Sequence, residues 1–224
     1  MTRGAPLLRP EFGPTLPELV SGRFSVSRRA VTIALVVALV VIVVAIKVAL
    51  GIGRSQVTVH GTPSFNLVYK TAQLHRVPLQ PGELVRLAGA RAHVSVSLTV
   101  RHANLPPYSG DVLGGQLPLY ASTYADQRKA QLPQFLLSDE GKARINTFQG
   151  YEIGYQSGPR GHRTYWRDIF LLPAPDKPKQ TIVMRLRQTF SGRTGPRDRA
   201  LVQAAKAAYQ SFRFGTRRPL FSGG

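Results

Sequence analysis

Cysteine does not occur in this 224-residue chain. Its absence excludes disulfides, thiolate catalysis, cysteine-bound zinc, Fe–S clusters and a lipidated-cysteine anchor. Acidic residues are scarce as well, with 11 Asp or Glu against 30 Lys or Arg, which leaves a formal net charge of +19. Only nine carboxylates follow residue 54, which limits the choice of paired acids for glycosidase chemistry. Asp139-Glu140 is the one adjacent pair, and it reads as a turn before Gly141. Histidine occurs five times, as His60, His75, His93, His102 and His162. None is spaced i, i+4 from another, and no His-Glu-x-x-His occurs, so no metal ligand set emerges. No Gly-x-Ser-x-Gly elbow is present. Ser157, His162 and Asp168 lie near one another in sequence, but a triad is defined by geometry. Gly110-Asp-Val-Leu-Gly-Gly115 lacks the Lys and Ser/Thr of a phosphate loop and reads as a flexible connection into a helix. We therefore expect no catalytic residues, no cofactor and no metal.

What the chain has is one long apolar run. From Ala30 to Ile46 the only polar residue is Thr32, and after Lys47 the run resumes to Gly53. About 20 helical residues cross a bilayer core, and Val and Ile on every face are unusual in a soluble helix. Lys47 sits near one end, where an ammonium can snorkel to headgroups. Residues 30–53 are therefore expected to form a single transmembrane helix. Ala49-Leu50-Gly51 is a passable signal-peptide cleavage site, but the run exceeds an ordinary h-region and 29 residues precede it, which favours an uncleaved anchor. Arg28 and Arg29 abut the run, while only Lys47 and Arg54 lie near its other end. By the positive-inside rule the amino terminus is cytoplasmic and the rest extracytoplasmic. Residues 1–29, with Pro6, Pro10, Pro14 and Pro17, read as a disordered tail.

The remainder divides into a linker at 54–62, an α+β domain at 63–215 and a basic tail at 216–224. Val94-Ser-Val-Ser-Leu-Thr-Val100 alternates as a half-buried strand, and Ile182-Val-Met-Arg-Leu186 resembles it. Phe65–Tyr69, Glu83–Leu87, Tyr151–Gln156 and Thr164–Leu171 are further strand candidates. Leu117, Tyr120, Ala121 and Tyr124 form one helical stripe, and Leu201, Ala204, Ala205, Ala208 and Phe212 another. Pro196 suits the first turn of the second helix. Short connections between sequential strands imply a mainly antiparallel sheet, covered by helices.

The Phe65-Asn-Leu-Val-Tyr69 strand, the Gly150-Tyr-Glu-Ile-Gly-Tyr155 arm and the closing helix into Ser211-Phe-Arg-Phe-Gly215 resemble the PsbP-like superfamily. The resemblance covers about residues 63–215 and implies an α/β/α sandwich around an antiparallel sheet. Several members are extracytoplasmic, actinobacterial lipoproteins among them, and many assist larger membrane assemblies. This chain has Lys70 and Leu74 where a Pro and a Trp often follow the first strand. It also has an apolar anchor in place of a lipidated cysteine. The superfamily has no shared catalytic set to carry over.

Residues 55–224 hold 23 Lys or Arg against 9 Asp or Glu, a formal +14. Arg163 and Arg167 lie on the strand face opposite Trp166, and Arg185 and Arg187 on the face opposite Leu186. Arg217 and Arg218 follow the closing segment. These six are the candidate contacts for anionic lipid headgroups or an acidic partner. Nucleic acid is not an expected partner, since no recognised motif occurs and the domain is placed outside. Three readings of function remain. One is a non-enzymatic accessory or scaffold subunit of an integral membrane protein complex. The others are a lipid-binding module in envelope lipid transport and an anchored hydrolase.

At 100° per residue, Ala30, Ala34, Ala38, Ala45 and Ala49 occupy one stripe about 100° wide, with Lys47 nearly opposite. Small residues let helices approach closely in lipid, where no hydrophobic drive pairs them. The stripe is therefore expected to pack against another copy or a larger membrane protein. Replacing Ala34→Leu together with Ala38→Leu should abolish co-purification of that partner, whereas Val37→Leu should leave it intact. Unchanged association of the paired variant would reduce the helix to a tether.

Overall fold

Alternation of apolar and polar residues along the strands decides the architecture. The structure, a computed structural model, describes residues 28–51 and 53–216. It divides into two units, at 1–52 and 53–224. The tail before residue 28, and Arg217 and Arg218 after 216, lie outside the described residues.

The first unit contains helix α1, Arg28–Gly51. It begins and ends two residues earlier than the apolar run suggested, and Gly53 instead occupies a turn with φ +80°. Side chains are described at 29 and 31–46, and every one of them is exposed. The unbroken stretch of α1 whose side chains are described is only 31–46, so among the described residues no helix is long and apolar enough to cross a membrane.

The second unit is an α+β domain with two antiparallel sheets. Strands β1 (Arg54–Val59), β2 (Phe65–Lys70) and β10 (Arg213–Phe214) form the smaller sheet, in the order β1-β2-β10. The larger sheet runs β3-β4-β5-β9-β8-β7-β6. Its members are β3 (His75–Arg76), β4 (Glu83–Ala90), β5 (Val94–His102), β6 (Leu136–Ile145), β7 (Phe148–Ser157), β8 (Arg163–Leu171) and β9 (Ile182–Phe190). All pairs in the larger sheet are antiparallel.

Two helices cover the larger sheet on opposite faces. Helix α2, Leu117–Gln131, packs on one face against β7. It is entered through a π-helical turn, Val112–Gln116, where the Asp111 carboxylate accepts from the Leu113 and Gly114 amides, both at 3.0 Å. The segment expected to be a flexible connection is thus a capped turn. Helix α3, Pro196–Gln210, packs on the other face against β5 and β9, and also against β2. Its buried Leu201, Ala204, Ala205 and Ala208 belong to the stripe expected from sequence, whereas Phe212, the last member expected, is buried but follows the end of the helix. The close approach needs Gly89, because a Cβ there would lie 2.3 Å from the Gln73 carbonyl oxygen and 2.8 Å from Leu201 Cδ1. Leu98, Met184, Leu186 and Ile169 form the core beneath α3, together with Phe65, Leu67 and Phe212. Leu117, Ala121, Ile153, Tyr155 and Phe170 form the core beneath α2.

Two segments differ from their sequence reading. Residues 54–59, read as linker, form β1, because pairing with β2 from Arg54↔Lys70 to Val59↔Phe65 satisfies their backbone. Asp139-Glu140, read as a turn, lies within β6, the outermost strand, where Glu140 pairs with Ile153. An edge strand exposed on both sides carries no apolar alternation, and charges there discourage edge-to-edge association.

The α2 face holds a buried ion pair. Asp168 on β8 and Arg185 on β9 are direct cross-strand partners. Asp168 is fully buried. It accepts from Arg185 Nε at 2.9 Å, from Tyr124 Oη of α2 at 2.8 Å and from Tyr155 Oη of β7 at 2.9 Å. The Tyr124 hydroxyl in turn accepts from Arg185 Nη2 and from Arg128 Nη2. Burial, and then the Asp168 charge, push the Tyr124 phenol up to about 12, against the opposing pull of Arg185 and Arg128. Tyr155 is raised by the same two causes. Burial acts to lower Arg185, but the charge and hydrogen bonds of Asp168 outweigh it and the net shift is upward.

Asp168→Asn leaves a buried guanidinium without its counter-charge, and should cost about 3–5 kcal/mol in urea unfolding. A loss below about 1 kcal/mol, the scale of an exposed pair, would show that the site is solvated. The raised phenols give a separate expectation. An unfolded tyrosine ionises near 10, whereas Tyr124 keeps its proton up to about 12. The stability linked to it is therefore complete below pH ~10 and is lost as pH rises through the folded value. Tyr124→Phe should flatten the alkaline fall in unfolding free energy relative to the parent chain.

Candidate functional site

Period-2 alternation sends the side chains of β8 and β9 to two different surfaces. On the α3 face the two strands set three cross-strand pairs side by side: Arg163↔Phe190, Tyr165↔Gln188 and Arg167↔Leu186. On the α2 face Trp166 pairs with Arg187, and Asp168 with Arg185. The four strand arginines expected to act together are thus divided two and two.

Their environments differ. Arg185 is consumed by the Asp168 ion pair, with 14% of its side chain exposed. Arg187 is exposed, and its guanidinium lies 5.9 Å from the centre of the Trp166 ring, which itself stacks on Tyr155. Arg163 and Arg167 line an open cleft of about 880 Å³ between α3 and the uncovered part of the sheet. Lys206 and Gln210 of α3 form one wall, and Ser138 and Asp139 of β6 lie on the opposite rim.

The cleft is shaped by small local features. A β-bulge between Leu137 and Asp139 interrupts the β6–β7 ladder, and bulges commonly re-aim side chains at sheet edges. Asp139 then pairs with Gly154, whose missing side chain leaves room on the floor: a Cβ there would meet Asp139 Cβ and Ser138 Oγ, both at 3.3 Å. Tyr165 is 41% exposed and presents its ring beside Phe190, edge to face at 5.6 Å. Arg163 Nη1 donates to Gln156 Oε1 at 3.1 Å.

Below the cleft lies Glu152. It contacts Arg167 Nε at 3.1 Å and accepts from Tyr209 Oη at 3.3 Å, which joins β7, β8 and α3. Burial raises the Glu152 carboxyl above its ordinary range, and Asp139 adds to this. Arg167 and the Tyr209 hydrogen bond pull the other way. Tyr209 is raised well above its usual value, by burial first and then by the Glu152 charge. The arrangement fixes one guanidinium, Arg167, at the base of a concave basic surface. Such a surface can hold an oxyanion, because the planar fork of Arg matches carboxylate and phosphate.

Other residues singled out in the sequence are not brought together. Ser157 Oγ donates to the Pro133 carbonyl at 2.6 Å, His162 is exposed, and Asp168 belongs to the buried ion pair. All five histidines are exposed. Among the described residues, no three His, Asp or Glu are grouped to hold a metal ion. Ala34, Ala38 and Ala45 are exposed on α1, while the side chains of Ala30, Lys47 and Ala49 lie outside the described residues. Sequence reading missed Tyr165, Gln188, Asp139, Glu152 and Lys206 as parts of one site. Their only signal was the alternation of β8, which already placed Tyr165 on the face of Arg163 and Arg167.

No protein-family model matches the sequence, and no curated protein matches it. Among solved structures the chain is similar to the cyanobacterial PsbP (CyanoP) of Synechocystis sp. PCC 6803, at 10% identity and TM-score 0.47, over 73% of this chain and 93% of that one. It is also similar to LpqN, involved in cell envelope biogenesis of Mycobacterium tuberculosis, at 13% identity and TM-score 0.44, over 73% and 92% of the two chains. A third likeness is to PA94 of Pseudomonas aeruginosa, at 18% identity and TM-score 0.35, over 74% and 98%. Each of these likenesses covers about three quarters of this chain.

Proposed function

We propose that the chain is a single-pass membrane protein whose basic α+β domain works outside the membrane as a non-enzymatic accessory or scaffold subunit of a larger membrane protein complex. One observation carries this reading. Helix α1 has 24 residues, and its described Val, Leu and Ile side chains are 46–66% exposed. A helix of that length spans about 36 Å at 1.5 Å per residue, against a hydrocarbon core of about 30 Å. Water is a poor solvent for such a surface, since burying each Val, Leu or Ile is worth about 1.5–3 kcal/mol. Lipid and a partner helix are the covers that suit an apolar helix of uniform character. Arg28 and Arg29 at its start favour a cytoplasmic amino terminus.

The domain itself supports a binding role. Its two cores are filled by side chains from both sheets and both helices, and its surface carries the cationic excess. A second reading, a lipid-binding module, draws on the cleft beneath α3, where Leu186 and Phe190 supply apolar floor.

Topology is the sharpest test. An alkaline phosphatase fused after Gly224 should be active and a cytoplasmic fluorescent reporter at the same position dark. The opposite pattern would put the domain in the cytoplasm and overturn the reading. Extraction in mild detergent followed by mass spectrometry should then recover a stoichiometric integral membrane partner. Recovery of the chain alone, at native expression, would remove the accessory role.

A further inference from the structure

The geometry points to the cleft beneath α3 as a binding site for an acidic saccharide, a sugar bearing carboxylate or phosphate. This goes beyond the accessory role and does not depend on which side of the membrane the domain occupies.

Charge is placed on both sides of an aromatic ring. Arg163 and Arg167 are four residues apart on one strand, so their Cα atoms lie about 13 Å apart on the same face. Tyr165 stands between them, and Lys206 faces them from α3. Two guanidiniums flanking an exposed aromatic ring can hold anionic groups on either side of a ring-shaped ligand. Tyr165 is suited to the apolar face of that ring, because Phe190 supports it from the side and it gives contact area with few rotamers to order.

Polar groups surround that ring. Gln188 is the cross-strand neighbour of Tyr165, and Gln210, Ser138 and Asp139 complete the walls. These groups supply both donors and acceptors, which is what vicinal hydroxyls require. An alkyl chain laid in the cleft would meet Leu186 and Phe190 but would strip water from the polar groups without replacing their hydrogen bonds. A bare phosphate would fill little of a cleft of about 880 Å³, whereas ligand sites of about 300–1,000 Å³ take drug-sized molecules.

The backbone of the floor is already paired. Strand β8 lies between β7 and β9, so the floor offers no free main-chain edge. A peptide adding as a strand needs such an edge. Recognition here must come from side chains, as it does for sugars.

The test uses the full chain in phosphatidylcholine nanodiscs and isothermal titration. The probes are trigalacturonate, glucose 6-phosphate, maltotriose, inorganic phosphate, dodecyl phosphate and hexaglutamate. At least one of the two sugar acids should bind about tenfold more tightly than maltotriose and than inorganic phosphate, a difference on the scale of one charge-assisted contact. Which of the two binds better identifies carboxylate or phosphate as the anion. Arg163→Gln should weaken that binding about tenfold. Tyr165→Ala should weaken the sugar acid while leaving inorganic phosphate unchanged. Arg187→Gln, on the opposite face, should change nothing. Tyr165 is exposed, and Arg163 is half-buried with Gln156 as its hydrogen-bond partner, so neither variant touches a buried charge and both keep the test valid even where Arg167→Gln disturbs Glu152. Tighter binding of dodecyl phosphate or hexaglutamate than of either sugar acid would overturn the proposal in favour of an amphiphile or a peptide. Equal losses from Arg163→Gln and Arg187→Gln would reduce the site to general basic surface. No measurable binding of either sugar acid would remove the site and leave the accessory reading standing.

Discussion

The Asp168–Arg185 ion pair is the constraint around which the domain is arranged. A carboxylate with no exposure is stable in a protein only when its oxygens are fully engaged. Here they accept from one guanidinium and two phenols, contributed by β9, α2 and β7. Three elements are therefore tied to one side chain of β8. The pair also pins register. A one-residue slip of β8 against β9 would carry Asp168 to the other face. It would also move Tyr165 and Arg167 out of the cleft, because they depend on the same alternation.

That arrangement changes the meaning of the positive charge. Arg185 is neutralised and mostly covered, so it contributes little to the surface field. Arg187 remains exposed but sits over an aromatic ring. The cations that line the concave surface are Arg163, Arg167 and Lys206, of which Arg167 is shared with Glu152 and Arg163 is held by Gln156. Low-dielectric walls concentrate the field of a few charges more effectively than an open surface with many. The net charge of the chain thus indicates affinity for anions, while the geometry selects where they are held.

Much of the fold was legible because burial leaves a period in the sequence. Strand β5 alternates cleanly, β9 repeats it, and the α3 stripe of Leu201, Ala204, Ala205 and Ala208 is the buried face observed. Strand β6 was not legible, because an outer strand exposed on both sides has no apolar rhythm to read. Strand β1 was hidden for a related reason: its formation depends on β2, a pairing that local pattern does not contain. The site was half legible. Each pair of arginines was assigned correctly to a face of its own strand, relative to Trp166 and to Leu186. Whether those faces coincide is a matter of register, and the pairs Trp166↔Arg187 and Arg167↔Leu186 place them on opposite sides. Lys206 and Asp139 enter the site only through the packing of α3 and the bulge in β6.

The cleft exists because α3 is held at both ends and covers only part of the sheet. Toward its start, Gly89 lets Leu201 settle close to β4. At its end, Ser211 Oγ donates to the Val68 carbonyl at 2.9 Å and accepts from the Val68 amide at 2.8 Å, which clamps the helix to β2. Asn146, in the β6–β7 turn with φ +53°, donates to the carbonyl of Phe212 at 2.6 Å. Tyr209, in the last turn of the helix, reaches under the cleft to Glu152, so that end is tied to β7 as well. A wall fastened at three places does not have to be ordered by its ligand. Binding then avoids much of the cost of immobilising side chains and backbone, and even an open cleft with modest apolar floor can discriminate by the placement of a few charges and one aromatic ring.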